Sequence, residues 1–371
     1  MSNEESALTR RDWLVTGGVA LSGLALPARS GGPKTVVRRA RARLSLNENP
    51  FGPSSFVLAA LRNQLGEVCR YTDDGADVLT RAIVARENVS ADQIVLGEIL
   101  GALGLHLAMN GPGGGEFIYS EPGYTALVDT VAPGGGVVIG VPLDQHLRND
   151  LSAIAAKVSS RTRAIYLVNP HNPSGTVSDT ATFNTFVHEM SKRATVIVDE
   201  AYLEFEPDFT VRTAAGLTRA GENVVVFRTF GKIYGLAGLP MGYAVAPKAL
   251  AASLKRAGIG VPETLDRLAL AAATASLRDR GYIATIRAKV IVEREKWNSL
   301  FVALKLQHSD SRGNFVFFET GRPHRDVAAA LGARGIEIGR AFPPLDHWAR
   351  VSIGLPAENA LARDAVVGLL S

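Results

Sequence analysis

The sequence predicts an α/β fold: a mainly parallel sheet covered by helices on both faces, followed by a smaller α+β domain. Three observations carry this expectation. Between residues 94 and 246, short runs rich in β-branched residues alternate with segments of helical period. The runs are almost continuously apolar rather than alternating, which is the pattern of strands buried on both faces. From about Pro247 the rhythm changes to long helical stretches over 250–304, with two further strand-like runs after them.

In chain order, the candidate strands are 94–96, 117–119, 137–141, 164–168, 195–198, 224–227 and 243–246, then 314–318 and 349–353 in the smaller domain. Among the intervening helices, 181–194 sets Phe183, Phe186, Val187 and Met190 on one face. At 371 residues the chain is long enough for two domains sharing a large core.

Composition narrows the function classes. Apolar residues make up 46% and charged residues 20%, so the chain is globular rather than disordered. Part of the net charge of +4 comes from Arg38, Arg39, Arg41 and Arg43, which read as a solvated segment rather than a nucleic-acid patch. A single cysteine, Cys69, excludes an intrachain disulfide, and scattered histidines without an HExxH-type pair give no metal signal. The first thirty residues read as an address. Thr9-Arg10-Arg11-Asp12-Trp13-Leu14 precedes an apolar Gly/Ala-rich run, 15–26, too short to span a bilayer comfortably. This resembles a twin-arginine (Tat) signal, implying a periplasmic or extracellular protein without stable membrane insertion. The competing reading is a cytoplasmic protein whose N-terminal extension carries a chance arginine pair.

Ligands of open α/β sheets bind beyond the carboxyl ends of the strands, so polar residues at those ends are the candidates. After 164–168 comes Asn169-Pro170-His171-Asn172-Pro173-Ser174-Gly175, a turn that fixes the backbone while Asn172 projects an amide. After 195–198 comes Asp199-Glu200-Ala201-Tyr202. After 224–227 comes Lys232, inside a glycine-rich turn, where a lysine can form an imine with an aldehyde cofactor. Each segment alone is unspecific, since an aspartate at a strand end is more often a helix cap. Their combination in this order is specific.

Together with Asn47-Glu48-Asn49-Pro50-Phe51-Gly52-Pro53, Arg70-Tyr71 and Arg350, these segments resemble the fold-type I pyridoxal-phosphate enzymes of aminotransferase class I/II, nearest to the histidinol-phosphate aminotransferase group. The resemblance runs from about Leu46 to the end of the chain. It implies an aspartate-aminotransferase-like fold with a seven-stranded sheet. The corresponding division is a signal segment over 1–30, an N-terminal arm contributing to the small domain over 31–70, a large cofactor-binding domain over 71–247 and a small C-terminal domain over 248–371. It also implies roles. Lys232 holds pyridoxal 5'-phosphate and shuttles the substrate proton. Asp199 pairs with the pyridine nitrogen, Asn172 and Tyr202 bond the phenolic oxygen, and Tyr124 stacks on the ring. Arg350 grips the substrate carboxylate, and the segment around Asn47 closes over the substrate. Tyr71 reaches the cofactor phosphate of a neighbouring subunit in a homodimer with shared sites.

The phosphate cup departs from the family pattern. Where relatives carry a Gly-(Ser/Ala)-Asp-Glu loop opening a helix, this chain has Gly97-Glu98-Ile99-Leu100; the usual serine before the lysine is Gly231, and the usual arginine after it is Pro240. The expectation is that Gly97, the Ile99 and Leu100 amides, the Thr229 hydroxyl and the partner's Tyr71 hold the phosphate, with weaker retention, and that Arg228 is a candidate substitute cation. Arg340 is a candidate for substrate binding, although Gly339 and Ala341-Phe342-Pro343-Pro344 depart from the family around it. The expected reaction moves an amino group between an amino acid and a 2-oxo acid. A decarboxylase or lyase of the same fold is the alternative, and a non-catalytic cofactor-binding protein the third reading.

Overall fold

The computed structural model describes residues 40–72 and 74–370; the signal-like segment, with Arg38 and Arg39, lies outside them. Seven strands form one sheet: β2 (Ile94–Leu96), β3 (Glu116–Glu121), β4 (Val137–Pro142), β5 (Thr162–Val168), β6 (Thr195–Asp199), β7 (Val224–Thr229) and β8 (Gly242–Val245). Their spatial order is β2-β8-β7-β6-β5-β3-β4. All seven coincide with the runs read from sequence, with ends shifted by a residue or two in most cases. All pairings are parallel except those of β8, which runs antiparallel to both β7 and β2. The physical reason lies in the connection. Only 230–241 join β7 to β8, with no helix among them. A parallel return would need a crossover, whereas an antiparallel neighbour needs only a loop. That loop, carrying Lys232, therefore stays at the carboxyl end of β7.

Helices cover both faces: α1 (Ser55–Gln64), α2 (Gly75–Glu87), α3 (Leu100–Met109), α4 (Leu151–Lys157), α5 (Thr180–Ser191), α6 (Lys248–Arg256), α7 (Arg267–Arg278), α8 (Arg280–Ala303), α9 (His324–Ala333) and α10 (Pro356–Leu370). Strand parity divides the core. Val196, Val198, Val224 and Val226 pack with Phe183, Val187 and Met190 of α5 on one face. Ile197, Val225 and Phe227 pack with Leu103 of α3 and Leu254 of α6 on the other. The start of α5 is set by Asp179, whose side chain accepts the Thr182 N–H at 2.9 Å.

The long stretch over 250–304 breaks into α6, α7 and α8, interrupted by Gly258 and Gly260 at positive φ and then Pro262. Beyond it, β9 (Phe315–Glu319) and β11 (Trp348–Ser352) pair antiparallel, as two further strands were expected there. A second small sheet was not expected: β1 (Ala42–Leu44) pairs parallel with β10 (Ile336–Ile338). Three-residue strands carry too little periodicity to read. Ala42 and Leu44 join a core cluster with Trp297, Phe315 and Ile353, so the N-terminal arm is packed with the C-terminal part of the chain. Among the described residues no helix is long and apolar enough to cross a membrane.

Candidate active site

The carboxyl ends of β5, β6 and β7 open into a cleft of about 450 Å³, walled on the far side by β11 and the segment after β10. Lys232, Asp199, Asn172, Tyr202, Tyr124 and Arg350 all line it. Asn47, Thr229, Leu100 and Arg340 do so too. A second groove, between α1, α2 and α7, lies apart from these groups and brings no comparable set together.

Asp199 ends β6 and is buried. Its Oδ2 accepts the Tyr166 hydroxyl at 2.9 Å, and its Oδ1 accepts the Ala201 N–H at 3.0 Å. Burial pushes this carboxyl up to about 6; the Ala201 N–H, the Tyr166 hydroxyl and the charge of Lys232 only partly oppose it. A cationic partner in the cleft would relieve that penalty. The Ala201 bond is the local cap that an aspartate at a strand end often makes, and here the capping residue also lines the cleft.

Asn172 is held by a locked turn. The Gly175 N–H donates to the His171 carbonyl, and the His171 N–H to the Thr176 carbonyl. Gly175 has φ of +73°, and a Cβ there would collide with the Ser311 side chain, so only glycine fits. Burial lowers the His171 imidazole to about 3, leaving a neutral ring whose Nδ1 meets Ser174 Oγ at 2.9 Å. On this turn, Asn172 Nδ2 donates to the Tyr202 hydroxyl at 3.4 Å, and Asn47 Nδ2 donates to the same oxygen at 3.2 Å.

Arg350 on β11 faces this pair. Its Nη1 donates to Asn172 Oδ1 at 2.6 Å and its Nη2 to the Ser45 carbonyl at 2.8 Å, while Nε is buried without a partner. Burial pulls the guanidinium down to about 10, with the Tyr202 phenol working the other way, so it stays charged at neutral pH. Gly339 explains itself here. A Cβ at that position would lie 3.0 Å from Arg350 Nε, so the glycine makes room for the guanidinium. The Arg350 guanidinium also stacks 5.0 Å from the Phe342 ring centroid, which Arg340 approaches at 4.4 Å. Arg340 Nη2 reaches the Gly123 carbonyl at 3.4 Å.

Lys232 Nζ donates to the Leu46 carbonyl at 3.4 Å and sits 5.6 Å from the Tyr202 ring centroid. Tyr124 is 42% exposed at the cleft mouth, and burial of its hydroxyl, with Asp199 nearby, pushes the phenol to about 12. The arm around Asn47 is anchored rather than loose: Asn47 has φ of +55°, its N–H donates to Ser352 Oγ at 2.8 Å, and Asn314 Nδ2 donates to its carbonyl at 2.9 Å.

At the phosphate end the structure bears on several expectations and overturns one, Arg228 as a substitute cation. The Gly97 N–H is used by the sheet, donating to the Gly242 carbonyl at 2.8 Å, so Gly97 shapes the turn rather than offering an amide. The Ile99 side chain belongs to the core behind α3. Leu100 opens that helix, so its N–H has no acceptor within the helix. The Thr229 hydroxyl is already engaged: it donates to Glu98 and accepts the Gly231 N–H at 2.9 Å. Arg228 is no substitute cation. It points to the opposite side of β7, where Glu200 lies at 3.0 Å, Glu204 at 3.4 Å and Glu87 at 3.5 Å. Tyr71 is 87% exposed and does not line its own subunit's cleft. Sequence reading missed two contributors, Tyr166 and Glu98; only Glu98 carried a signal, as the charged member of the altered cup.

On a covered, mainly parallel sheet, a lysine in the loop after one central strand and a buried acid ending the next define the enzymes that carry a cofactor aldehyde on a lysine amine. Comparison with known proteins agrees. Residues 42–364 match the family described as aminotransferase class I and II, and the chain belongs to that family. It is 35% identical over 332 residues to a histidinol-phosphate aminotransferase from Limosilactobacillus fermentum, covering 88% of this chain and 90% of that protein. It is 34% identical to an aromatic amino acid aminotransferase from Thermobifida fusca, over 86% of this chain and 87% of that one. Among solved structures, the histidinol-phosphate aminotransferase of Sinorhizobium meliloti in complex with pyridoxal-5'-phosphate superposes with a TM-score of 0.80 at 28% identity, covering 90% of this chain and 92% of that one.

Proposed function

We propose that this protein is a pyridoxal-phosphate-dependent aminotransferase that moves an amino group between an amino acid and a 2-oxo acid, with Lys232 as its catalytic residue. The observation that carries this reading is the convergence of Lys232, Asp199, the Asn172–Tyr202 pair and Arg350 on one cleft. The residues fit the ring end of the cofactor: a buried acid whose burial penalty a pyridinium N–H relieves, an amide and phenol for a phenolic oxygen, and an amine for the aldehyde. When bound, pyridoxal phosphate supplies the electron sink that lets an amino acid release its Cα proton.

This chain's residues do the rest. Lys232 Nζ would take the proton from substrate Cα and deliver it to the carbon of the cofactor's aldehyde, across the imine nitrogen. Arg350 exchanges its Asn172 and Ser45 contacts for a carboxylate, and its unpartnered Nε adds a donor to that grip. Phe342, whose ring centroid lies 5.0 Å from the Arg350 guanidinium, and Leu46 give the cleft apolar surface on that side, which suits amino acids with aromatic side chains. The names of the relatives from Limosilactobacillus and Thermobifida set the first panel of amino donors: histidinol phosphate, phenylalanine, tyrosine and histidine against 2-oxoglutarate and pyruvate. Formation of the matching oxo compound (a 2-oxo acid, or a ketone from histidinol phosphate) without CO₂ supports transamination. Stoichiometric CO₂ in place of oxo acid, or no reaction with any donor, overturns it.

Two further readings belong to this proposal. Phe56, Leu65, Val68 and Tyr71 form an exposed apolar run along and after α1, which supports a homodimer with shared sites. Sedimentation as a monomer at assay concentration refutes it. The paired arginines and apolar run of residues 1–30 support export through a twin-arginine route. Fractionation that leaves the full chain in the cytoplasm refutes that.

A further inference from the structure

One end of the cleft is left unexplained by the proposed function, and its assignment rests on that function. Pyridoxal phosphate carries its groups in a set order around the ring: nitrogen 1, hydroxyl on carbon 3, aldehyde on carbon 4, phosphate arm on carbon 5. With the nitrogen toward Asp199 and the aldehyde toward Lys232, the hydroxyl takes the side of Asn172 and Tyr202. The phosphate arm then takes the opposite side. Sheet order tells which residues stand there. Asn172 follows β5, on one side of Asp199 and β6; Thr229 of β7 and, past β8, Glu98 after β2 stand on the other.

The charge at that end has the wrong sign for a phosphate. The cleft lining includes three cations among the described residues: Lys232, committed to the aldehyde, and Arg340 and Arg350, both on the Asn172 side. Arg228 is on the other side of the sheet. Gly231 and Pro240 line the phosphate end without charge. The ionisable side chain there is Glu98, bonded to the Thr229 hydroxyl. The charged and titratable groups facing it are Lys232 from the loop, Asp199 from β6 and Tyr124 from the segment after β3. A dianion placed against a carboxylate is repelled, whereas a carboxylic acid in the same position donates a hydrogen bond.

We propose that Glu98 makes cofactor binding proton-linked: the phosphate enters with uptake of one proton by Glu98, whose carboxyl then donates to a phosphate oxygen in place of a basic side chain. The proton comes from solvent and stays on the carboxyl while the cofactor is bound. Burial already raises this carboxyl above its ordinary value; the Thr229 hydroxyl opposes this, Asp199 adds to it and Lys232 opposes it. Glu98 is thus a phosphate-binding residue, and the amides opening α3 are its auxiliaries.

The sign follows from linkage. Binding that requires a proton weakens as pH rises, up to tenfold per pH unit above the free carboxyl's midpoint. Glu98→Gln keeps the shape and a carbonyl oxygen for Thr229 while removing the charge. The experiment titrates apo wild type and E98Q with pyridoxal phosphate and with pyridoxal, its phosphate-free form, from about pH 6 to about pH 8.5, following the visible absorbance of lysine-bound cofactor. The cofactor's own phosphate ionisation and the Lys232 chemistry are common to both proteins and cancel in the ratio. E98Q is expected to bind pyridoxal phosphate at least about tenfold more tightly near pH 8.5, the ratio shrinking as pH falls. Calorimetry in buffers of different protonation enthalpy should show about one fewer proton taken up by E98Q, and pyridoxal should bind both proteins alike. Equal or weaker binding of pyridoxal phosphate by E98Q across the range, or an equal gain for pyridoxal, overturns the assignment of Glu98 alone. Absence of the lysine-bound absorbance in both proteins with both ligands overturns the reading of the whole site, and this inference with it.

Discussion

Asp199 and Glu200 are neighbours in the chain, as are Arg228 and Thr229, yet each pair splits between two different polar regions. Asp199 and Thr229 face the cleft; Glu200 and Arg228 meet in a buried ionic cluster with Glu87, Glu204, Arg86 and Tyr243. Within the cluster most groups are paired with one another, although Arg86 Nε, 3.4 Å from Glu87, makes no hydrogen bond. Arg228 also donates to Thr213 at 2.9 Å, Glu200 accepts the Ala214 N–H at 2.7 Å, and the Tyr243 hydroxyl donates to Glu87 at 2.7 Å. Across the sheet, Arg350 keeps an unpartnered Nε, and Asp199 has only a phenol and one amide for a full carboxylate. The difference teaches what separates a structural polar network from a site. The first turns its charged groups on one another, while the second is short of partners that a ligand supplies.

The sharpest way to break this comparison is at the lysine. Lys232→Ala should abolish covalent cofactor attachment and turnover while leaving apo unfolding close to wild type; retained turnover with the panel of amino donors would refute the assignment. Next in size is Arg228→Met, which leaves Glu200, Glu204 and Glu87 buried with too little positive charge. It should cost about 3–5 kcal/mol in urea unfolding, and a loss below about 1 kcal/mol would mean the cluster does not support the fold as its geometry indicates.

The third prediction concerns Asp199 in the apo protein. Its carboxyl is raised from 3.8 to about 6, so the folded chain binds that proton more tightly than the unfolded chain does. The stability it contributes is therefore fully present below about 3.8 and lost as pH rises through about 6, by at most about 3 kcal/mol. Asp199→Asn should flatten that part of the pH profile of apo unfolding; an unchanged profile would count against the burial argument. The smallest effect is expected from Tyr166→Phe, which removes one donor from Asp199 and should lower kcat by about tenfold, equivalent to about 1–2 kcal/mol, with KM nearly unchanged. A change confined to KM would place Tyr166 in substrate binding instead.

Much of the fold was legible in the sequence because the central strands are nearly continuous runs of Val and Ile, as in Val224-Val225-Val226, which few other environments accept. Lys232, Asp199 and Asn172 were legible because they directly follow such runs. The strands β1 and β10 were not, being three residues long and stabilised by pairing with each other across the length of the chain. Gly339 looked like a departure from pattern, and its purpose appears only where the Arg350 guanidinium lies against it.

By itself, the sequence determined the α/β class, the order of its strands along the chain and the identity of the groups at their ends. These depend on local composition and on the period of apolar residues, and both are written residue by residue. Tertiary structure alone decided which side of the sheet each group serves. A strand turns successive side chains to opposite faces, so whether Arg228 or Thr229 reaches the cleft depends on how β7 sits against its neighbours. The encounter of Glu98 with Thr229 depends likewise on β8 returning antiparallel between β7 and β2, and so joining residues far apart in the chain at one end of the cleft.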